Sequence, residues 1–437
     1  MTRIALCFML FTPYFIHAQS LNLPASSDVV HVINCSPDGR HIIANATYPV
    51  LGVYDMMTGK LIHTLQHDQS VRKGLYDPSG KYILTSSYKF AGIKAVPGDA
   101  CLWDAESGQL LHKYTDHSDF IVSLDFNQQS DKILTGSKDS TAKVWDIASG
   151  ALLHSLEKHT GSVECAKFSP DGKIIVTASS DSSANIWDSM SGNLLHSIED
   201  HAGKVAYAEF SPSGDTLFTA SSDNTVKVWS VETGDLFTTL RKHPGNVNFI
   251  KFSPDHKYLL TLSTDLAMIN NAIQVWDAET LELIHKIEGN IMDEDAPGHR
   301  RFISSAVFSN DSKKIYTSSF DQTLKTWDVK TGELIKNLNY YVPYLSFHPT
   351  ENILLGGSRV GFFLFDGETD NEIIQLSTVN QSPENWMHVH KGKYIDTQEE
   401  VLPRIVVLDG GQAYPFSDYK DELFIPDLWS KVLKGEL

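Results

Sequence analysis

Five times along this chain a histidine is followed after 18 residues by a threonine, and four residues later by an aspartate. A tryptophan closes each set. The sets are His117, Thr135, Asp139 and Trp145; His159, Thr177, Asp181 and Trp187; His201, Thr219, Asp223 and Trp229; His243, Thr261, Asp265 and Trp276; and His299, Thr317, Asp321 and Trp327. A hydroxyl, an imidazole and a carboxylate are the parts of a nucleophilic site, with the imidazole as base and the carboxylate as its orienter. An active site is built once, however, and equivalent copies at one spacing point to a structural device. The chemistry that suits one is hydrogen bonding. A buried indole N–H needs an acceptor, a threonine hydroxyl both accepts and donates, and histidine relays to the carboxylate. A fully satisfied network of that kind fixes strand register.

The elements that must hold these groups repeat as well. Trp103, Trp145, Trp187 and Trp229 stand 42 residues apart, so one supersecondary unit is being stacked. In the unit ending near Trp187, an alternating strand in His159–Gly172 closes on a Pro-Asp-Gly turn. A second apolar strand ends in a tight turn at Asp181, a third ends at Trp187-Asp188, and Ser191-Gly192 leads into a fourth. Short strands with such punctuation make one antiparallel sheet. One small sheet cannot bury both faces, whereas sheets packed radially into a ring can, with little exposed edge. Val144, Ile186 and Val228 recur just before the tryptophans and are expected to fill the spaces between sheets.

Over roughly residues 28–376 these residues resemble the WD-repeat β-propeller family, with the four-residue sets as its hydrogen-bond tetrad. The expected fold is all-β, a single propeller of four-stranded antiparallel blades, with eight blades favoured and seven the alternative. The set ending at Trp276 carries five extra residues. Another unit keeps His67 and Thr85 but has Lys89 in the aspartate position and an insertion before Trp103. The end units finish in Tyr54-Asp55 and Phe365-Asp366 without a tetrad. A short strand around Leu21–Leu23 is expected to clasp the ring. The domain reading is a targeting segment at 1–18, a propeller at 19–376 and an extension at 377–437.

Arg3, the apolar run Ile4–Ile16 and Ala18 form a charged start, a hydrophobic stretch and a small residue at a cleavage point. Export to the periplasm or beyond, with cleavage near Ala18, is therefore expected. Pro13 and the short run argue against a membrane span. The net charge of −18 and pI near 5.4 repel phosphate backbones and anionic lipid, so neither nucleic acid nor membrane insertion is expected. Cys35, Cys101 and Cys165 lie in strands of different units and read as small buried hydrophobes. A further set of histidines, His63, His112, His154, His196 and His285, sits in the outer strands and is assigned to packing between blades. No cofactor or metal motif is present, although Asp293, Glu294 and Asp295 form an acidic run that could attract calcium.

From Pro383 onward the punctuation changes. This tail loosely resembles a segment that follows the propeller in bacterial proteins joining WD repeats to a caspase-like peptidase, which would imply an accessory role for a separately encoded peptidase. The propeller resemblance itself implies partner contacts just before each tight-turn aspartate and three or five residues after each tetrad histidine. Those offsets name Lys138, Ser180, Ser222, Thr264 and Phe320, then Arg72, Phe120, Lys204, Asn246 and Phe302, with Glu164 and Asn248. Aromatic side chains on a polar rim are typical interface anchors, so Phe120, Phe302 and Phe320 lead the set. The resulting expectation is a monomeric, non-catalytic scaffold for a protein or peptide. An enzyme with a site on the inserted loops is the rival class.

Overall fold

The structure is a computed structural model. It describes residues 9–10, 14–15, 33–47, 49–91, 94–265, 270–293, 296–358, 361–379, 382–390, 394–397, 406–409, 412–415 and 428–434. Eight antiparallel sheets follow one another along the chain and form an eight-bladed propeller. In chain order the blades cover residues 33–66, 70–114, 121–156, 163–198, 205–240, 246–290, 303–338 and 344–379. Each blade is a four-strand meander. In blade 4 the strands are Val163–Phe168, Ile174–Ser179, Ala184–Asp188 and Leu194–Ile198. Turn chemistry sets these boundaries. Ser169 Oγ donates to Asp171 at 2.7 Å, and Gly172 turns at a φ of 74°, a left-handed conformation that glycine adopts without strain.

The core lies between blades. Val144 of blade 3 packs with Trp187 of blade 4, Ile186 with Trp229 and Val228 with Trp276. Each tryptophan therefore spreads its ring against the preceding blade. The ring closes where blade 8 meets blade 1, through Ile42, Ala44, Tyr54, Leu355, Phe362 and Leu364. His348 Nε2 also lies 2.9 Å from the carbonyl of Gly39 across this junction.

Among the described residues, blades 1 and 8 are each built from one continuous stretch, with no strand exchanged between them. The proposed clasp around Leu21–Leu23 lies outside the described residues. Part of the C-terminal segment is instead woven into blade 8. Its fourth strand runs through Glu372–Val379, beyond the expected end of the repeat. Ser382–His390 then pairs with that strand, and Tyr394–Thr397 pairs with Ser382–His390. The short helix Leu428–Leu433 packs on these added strands, with Leu428 wholly buried in the blade 8–blade 1 core. Within the expected targeting segment, Met9–Leu10 pairs with Tyr14–Phe15.

Candidate functional site

Tight turns and strand ends bring each tetrad together. In blade 4 the indole N–H of Trp187 donates to Thr177 Oγ1 at 2.9 Å, Thr177 Oγ1 lies 2.8 Å from His159 Nε2, and His159 Nδ1 lies 3.0 Å from Asp181. The same chain runs through Trp145, Thr135, His117 and Asp139. It recurs through Trp229, Thr219, His201 and Asp223, and through Trp327, Thr317, His299 and Asp321. One proton arrangement satisfies every group: Nδ1–H donates to the carboxylate and Nε2 accepts from the threonine.

The electrostatics agree with a neutral imidazole. Burial holds His159, His201 and His299 below the usual histidine value, outweighing the carboxylate beside each. Burial alone would raise Asp181, but hydrogen bonds from Ser183 and the Thr160 N–H, together with His159, hold it at about 2. The threonine hydroxyl, the candidate nucleophile, is buried and committed to its neighbours in each case.

Two units are incomplete. In blade 6, Trp276 and His243 both reach Thr261, yet His243 Nδ1 has no hydrogen-bond partner among the described residues. Asp265 receives Asn270 instead, because the insertion lengthens this hairpin. In blade 2 only the Trp103–Thr85 bond forms, and His67 Nε2 is buried without a partner.

A family profile described as WD domain, G-beta repeat matches residues 108–146, 150–188, 192–230, 234–277 and 295–328. The matched stretches hold the five sequence tetrads in successive blades of a closed ring. The chain is a WD-repeat propeller. It is 30% identical over 94 residues to angio-associated migratory cell protein from Homo sapiens, covering 22% of this chain and 20% of that one. An uncharacterized WD repeat-containing protein of Schizosaccharomyces pombe is 30% identical over 90 residues, 21% of each chain. The chain thus spans about a fifth of the length of the curated relatives it matches. The crystal structure of the computationally designed Ika8 protein superposes with a TM-score of 0.62 at 23% identity. That match covers 77% of this chain and 95% of the designed one. WD-repeat propellers generally act as scaffolds for protein partners, without catalysis.

In this WD-repeat propeller the offset-derived contact residues do not form one surface. Phe302 and Phe320 come together: the Phe320 N–H donates to the Phe302 carbonyl at 3.0 Å, and their ring centroids lie 5.7 Å apart. Tyr341 adds a third ring 6.0 Å from Phe320, and both Phe320 and Tyr341 are exposed. Beside them, Ile291, Arg300, Arg301, Phe320, Asp321 and Gln322 line a cleft of about 290 Å³. Tyr341 escaped the offset rule because blade 8 has no tetrad histidine from which to count. Its only signal was the Tyr340-Tyr341 pair in the connecting loop.

Phe120 does not belong to that surface. It is 4% exposed, with Tyr88 of blade 2 edge-on at 5.6 Å and the Lys138 amine over its ring. Phe120 is thus covered by Tyr88 from the long second strand of blade 2 and by the Lys138 amine, while Lys138 itself stays exposed. Lys204 and Glu164 pair with each other at 2.9 Å. Arg72 and Asn246 are half-buried in innermost strands. Thr264 is buried and donates to Asn271. Ser180 and Ser222 donate their backbone N–H groups to Ser162 and Lys204 carbonyls.

The outer-strand histidines do join blades, by a contact the sequence reading did not specify. His63, His154 and His196 place Nε2 at 2.6–2.9 Å from the carbonyls of Glu106, Met190 and Glu232 in the next blade. His285 meets Lys330 in the same way. Of the acidic run, Asp293 is exposed in a bridge with Asn290, while 294 and 295 lie outside the described residues. Among the described residues no three His, Cys, Asp or Glu side chains converge as a metal site, and no helix is long and apolar enough to cross a membrane. Cys101 and Cys165 are buried and Cys35 is half-buried, all as free thiols.

Proposed function

We propose that this propeller is an exported, non-catalytic scaffold that binds a protein or peptide through the loop face of blades 7 and 8. The observation that carries the reading is the cluster of half-buried Phe302 with exposed Phe320 and Tyr341, beside a cleft lined by Arg300 and Arg301. Rigid aromatic rings beside arginine are the side chains that dominate interface energetics. Export rests on the N-terminal sequence, and its direct check is whether the mature protein starts at Gln19. The groups that could form a nucleophilic triad are locked in repeated, buried hydrogen-bond chains, which supports a binding role.

The test is affinity purification from the native host with the wild type and a Phe302→Lys/Phe320→Lys variant. The variant is expected to lose the specific partner while still unfolding cooperatively, with a modest fall in melting temperature because Phe320 is exposed and Phe302 only half-buried. Undiminished capture by the variant would show that partners dock elsewhere.

A further inference from the structure

The aromatic cluster and the arginine-lined cleft have one residue in common. Phe320 meets the rings of Phe302 at 5.7 Å and Tyr341 at 6.0 Å, and it also lines the cleft with Ile291, Arg300, Arg301, Asp321 and Gln322. The two features are therefore one continuous surface, apolar at one end and charged at the other.

What the charged end can hold follows from what its groups already do. The N–H groups of Arg300, Phe320, Asp321 and Gln322 donate to Asp321 Oδ2, the Phe302 carbonyl, Ser319 Oγ and the Ser319 carbonyl, at 2.9–3.1 Å. At these residues no backbone donor is left for a ligand, so recognition of an anion falls to side chains. Arg300 and Arg301 are both exposed, and their guanidinium groups supply the positive charge of the cleft. Arg300 Nη2 donates to the Ile291 carbonyl at 3.3 Å, which holds that side chain along the wall. Ser319 Oγ donates to the Arg301 carbonyl at 3.0 Å and fixes the backbone there. Asp321 is the one acid among the lining residues, and it is engaged: Oδ1 accepts the Thr323 hydroxyl, while Oδ2 accepts His299 and the Arg300 N–H. Burial alone would raise Asp321, but His299, Thr323 and the Arg300 N–H hold it well below the usual carboxylate range, so it stays charged. Two guanidinium groups thus face one occupied carboxylate, in a chain whose net charge is −18.

We propose that this surface takes an acidic linear peptide segment of the partner, a specificity that rests on the blade 7–8 face being the docking surface. An aromatic or large aliphatic side chain of the segment lies on Phe320 and Tyr341, and an Asp or Glu close by in the same segment pairs with Arg301 and Arg300. An extended chain advances about 3.3 Å per residue, so side chains a residue or two apart reach both the rings and the cleft. The guanidinium fork matches a carboxylate with two parallel hydrogen bonds, and the neighbouring rings exclude water from the pair. A carboxylate suits the cleft better than a phosphoryl group, because charged Asp321 on the same wall repels a dianion about twice as strongly as a monoanion.

The test is selection of a displayed library of random linear peptides on the full-length protein, followed by fluorescence anisotropy with a synthesised enriched peptide. Enriched sequences are expected to carry Asp or Glu beside an aromatic or large aliphatic residue. The Arg300→Gln/Arg301→Gln variant is expected to bind such a peptide at least about tenfold more weakly, the size of a lost charge-assisted contact, with Arg301→Lys intermediate because it keeps the charge but not the fork. Arg301→Gln alone serves if the double variant does not fold. Phosphoserine in place of the acid is expected to bind no more tightly. No enrichment, enrichment without acids, a tighter phosphopeptide or undiminished binding by a folded arginine variant overturns the proposal. The Phe302→Lys/Phe320→Lys protein separates the two readings. If it loses the peptide while the arginine variant keeps it, the face stands and its acidic preference fails; if both variants keep it, the face itself fails.

Discussion

The tetrad threonine is the residue on which each complete chain turns, because one hydroxyl serves an indole N–H and an imidazole nitrogen. Thr135→Val would leave the buried Trp145 N–H and His117 Nε2 both unpaired. Its expected cost is about 2–4 kcal/mol, from roughly 1–3 kcal/mol for each orphaned buried group. Thr85→Val should cost about half as much, since His67 Nε2 has no partner among the described residues and only the Trp103 donor is lost. Unfolding midpoints in denaturant compare the two. The same orphaned histidines set an acid limit. Burial lowers His67 and His243 from 6.5 to about 4. The unfolded chain therefore takes up protons first, and the stability gained by keeping these rings neutral is present above pH 6.5 and lost as pH falls toward 4. The tetrad aspartates, held below 3.8, add their loss only at lower pH, whereas Asp125, raised to about 6 by burial, opposes the trend in part. A His243→Gln variant should show a shallower fall in melting temperature between pH 6.5 and 4 than wild type.

At the level of elements, the outer-strand histidines show how blades are stapled beyond their apolar cores. His154 reaches over the turn of blade 4 and occupies the space above Gly192, where an added Cβ would lie 2.7 Å from the ring. Gly192 also has a φ of 71°, so Gly192→Ala combines strain with loss of the staple. Gly80→Ala is the control, with a similar φ of 77° but a nearest neighbour at 3.4 Å. Gly192→Ala is expected to lower stability by about 1 kcal/mol more than Gly80→Ala, the size of a lost hydrogen bond at the surface plus a clash. Thermal melts of the two variants decide it. These elements also show what was legible beforehand. Blade number, tetrads and the roles of Val144, Ile186 and Val228 follow from periodicity, because every copy meets the same surroundings. Phe120 broke the rule because the enlarged hairpin of a neighbouring blade covers it, and no local pattern reports a neighbour's insertion.

For the whole molecule, the vulnerable place is where blade 8 meets blade 1. Seven of the eight junctions join sheets that are neighbours in sequence, and the remaining one joins residues 309 apart, as His348 and Gly39 show. Leu428 plugs that core from the C-terminal helix. Leu428→Ala is expected to cost about 2–5 kcal/mol, the usual range for emptying a buried leucine site. Amide hydrogen exchange should quicken in blades 1 and 8 while blades 4 and 5 stay protected. Equal protection throughout would show that the helix adds nothing to closure. The contiguity of each blade reaches back to the protein's birth. The first sheet leaves the ribosome long before its final neighbour exists, so the growing chain is an open crescent with one greasy flank waiting. Chaperone demand should accordingly peak just before blade 8 emerges, and fall once it has closed on blade 1.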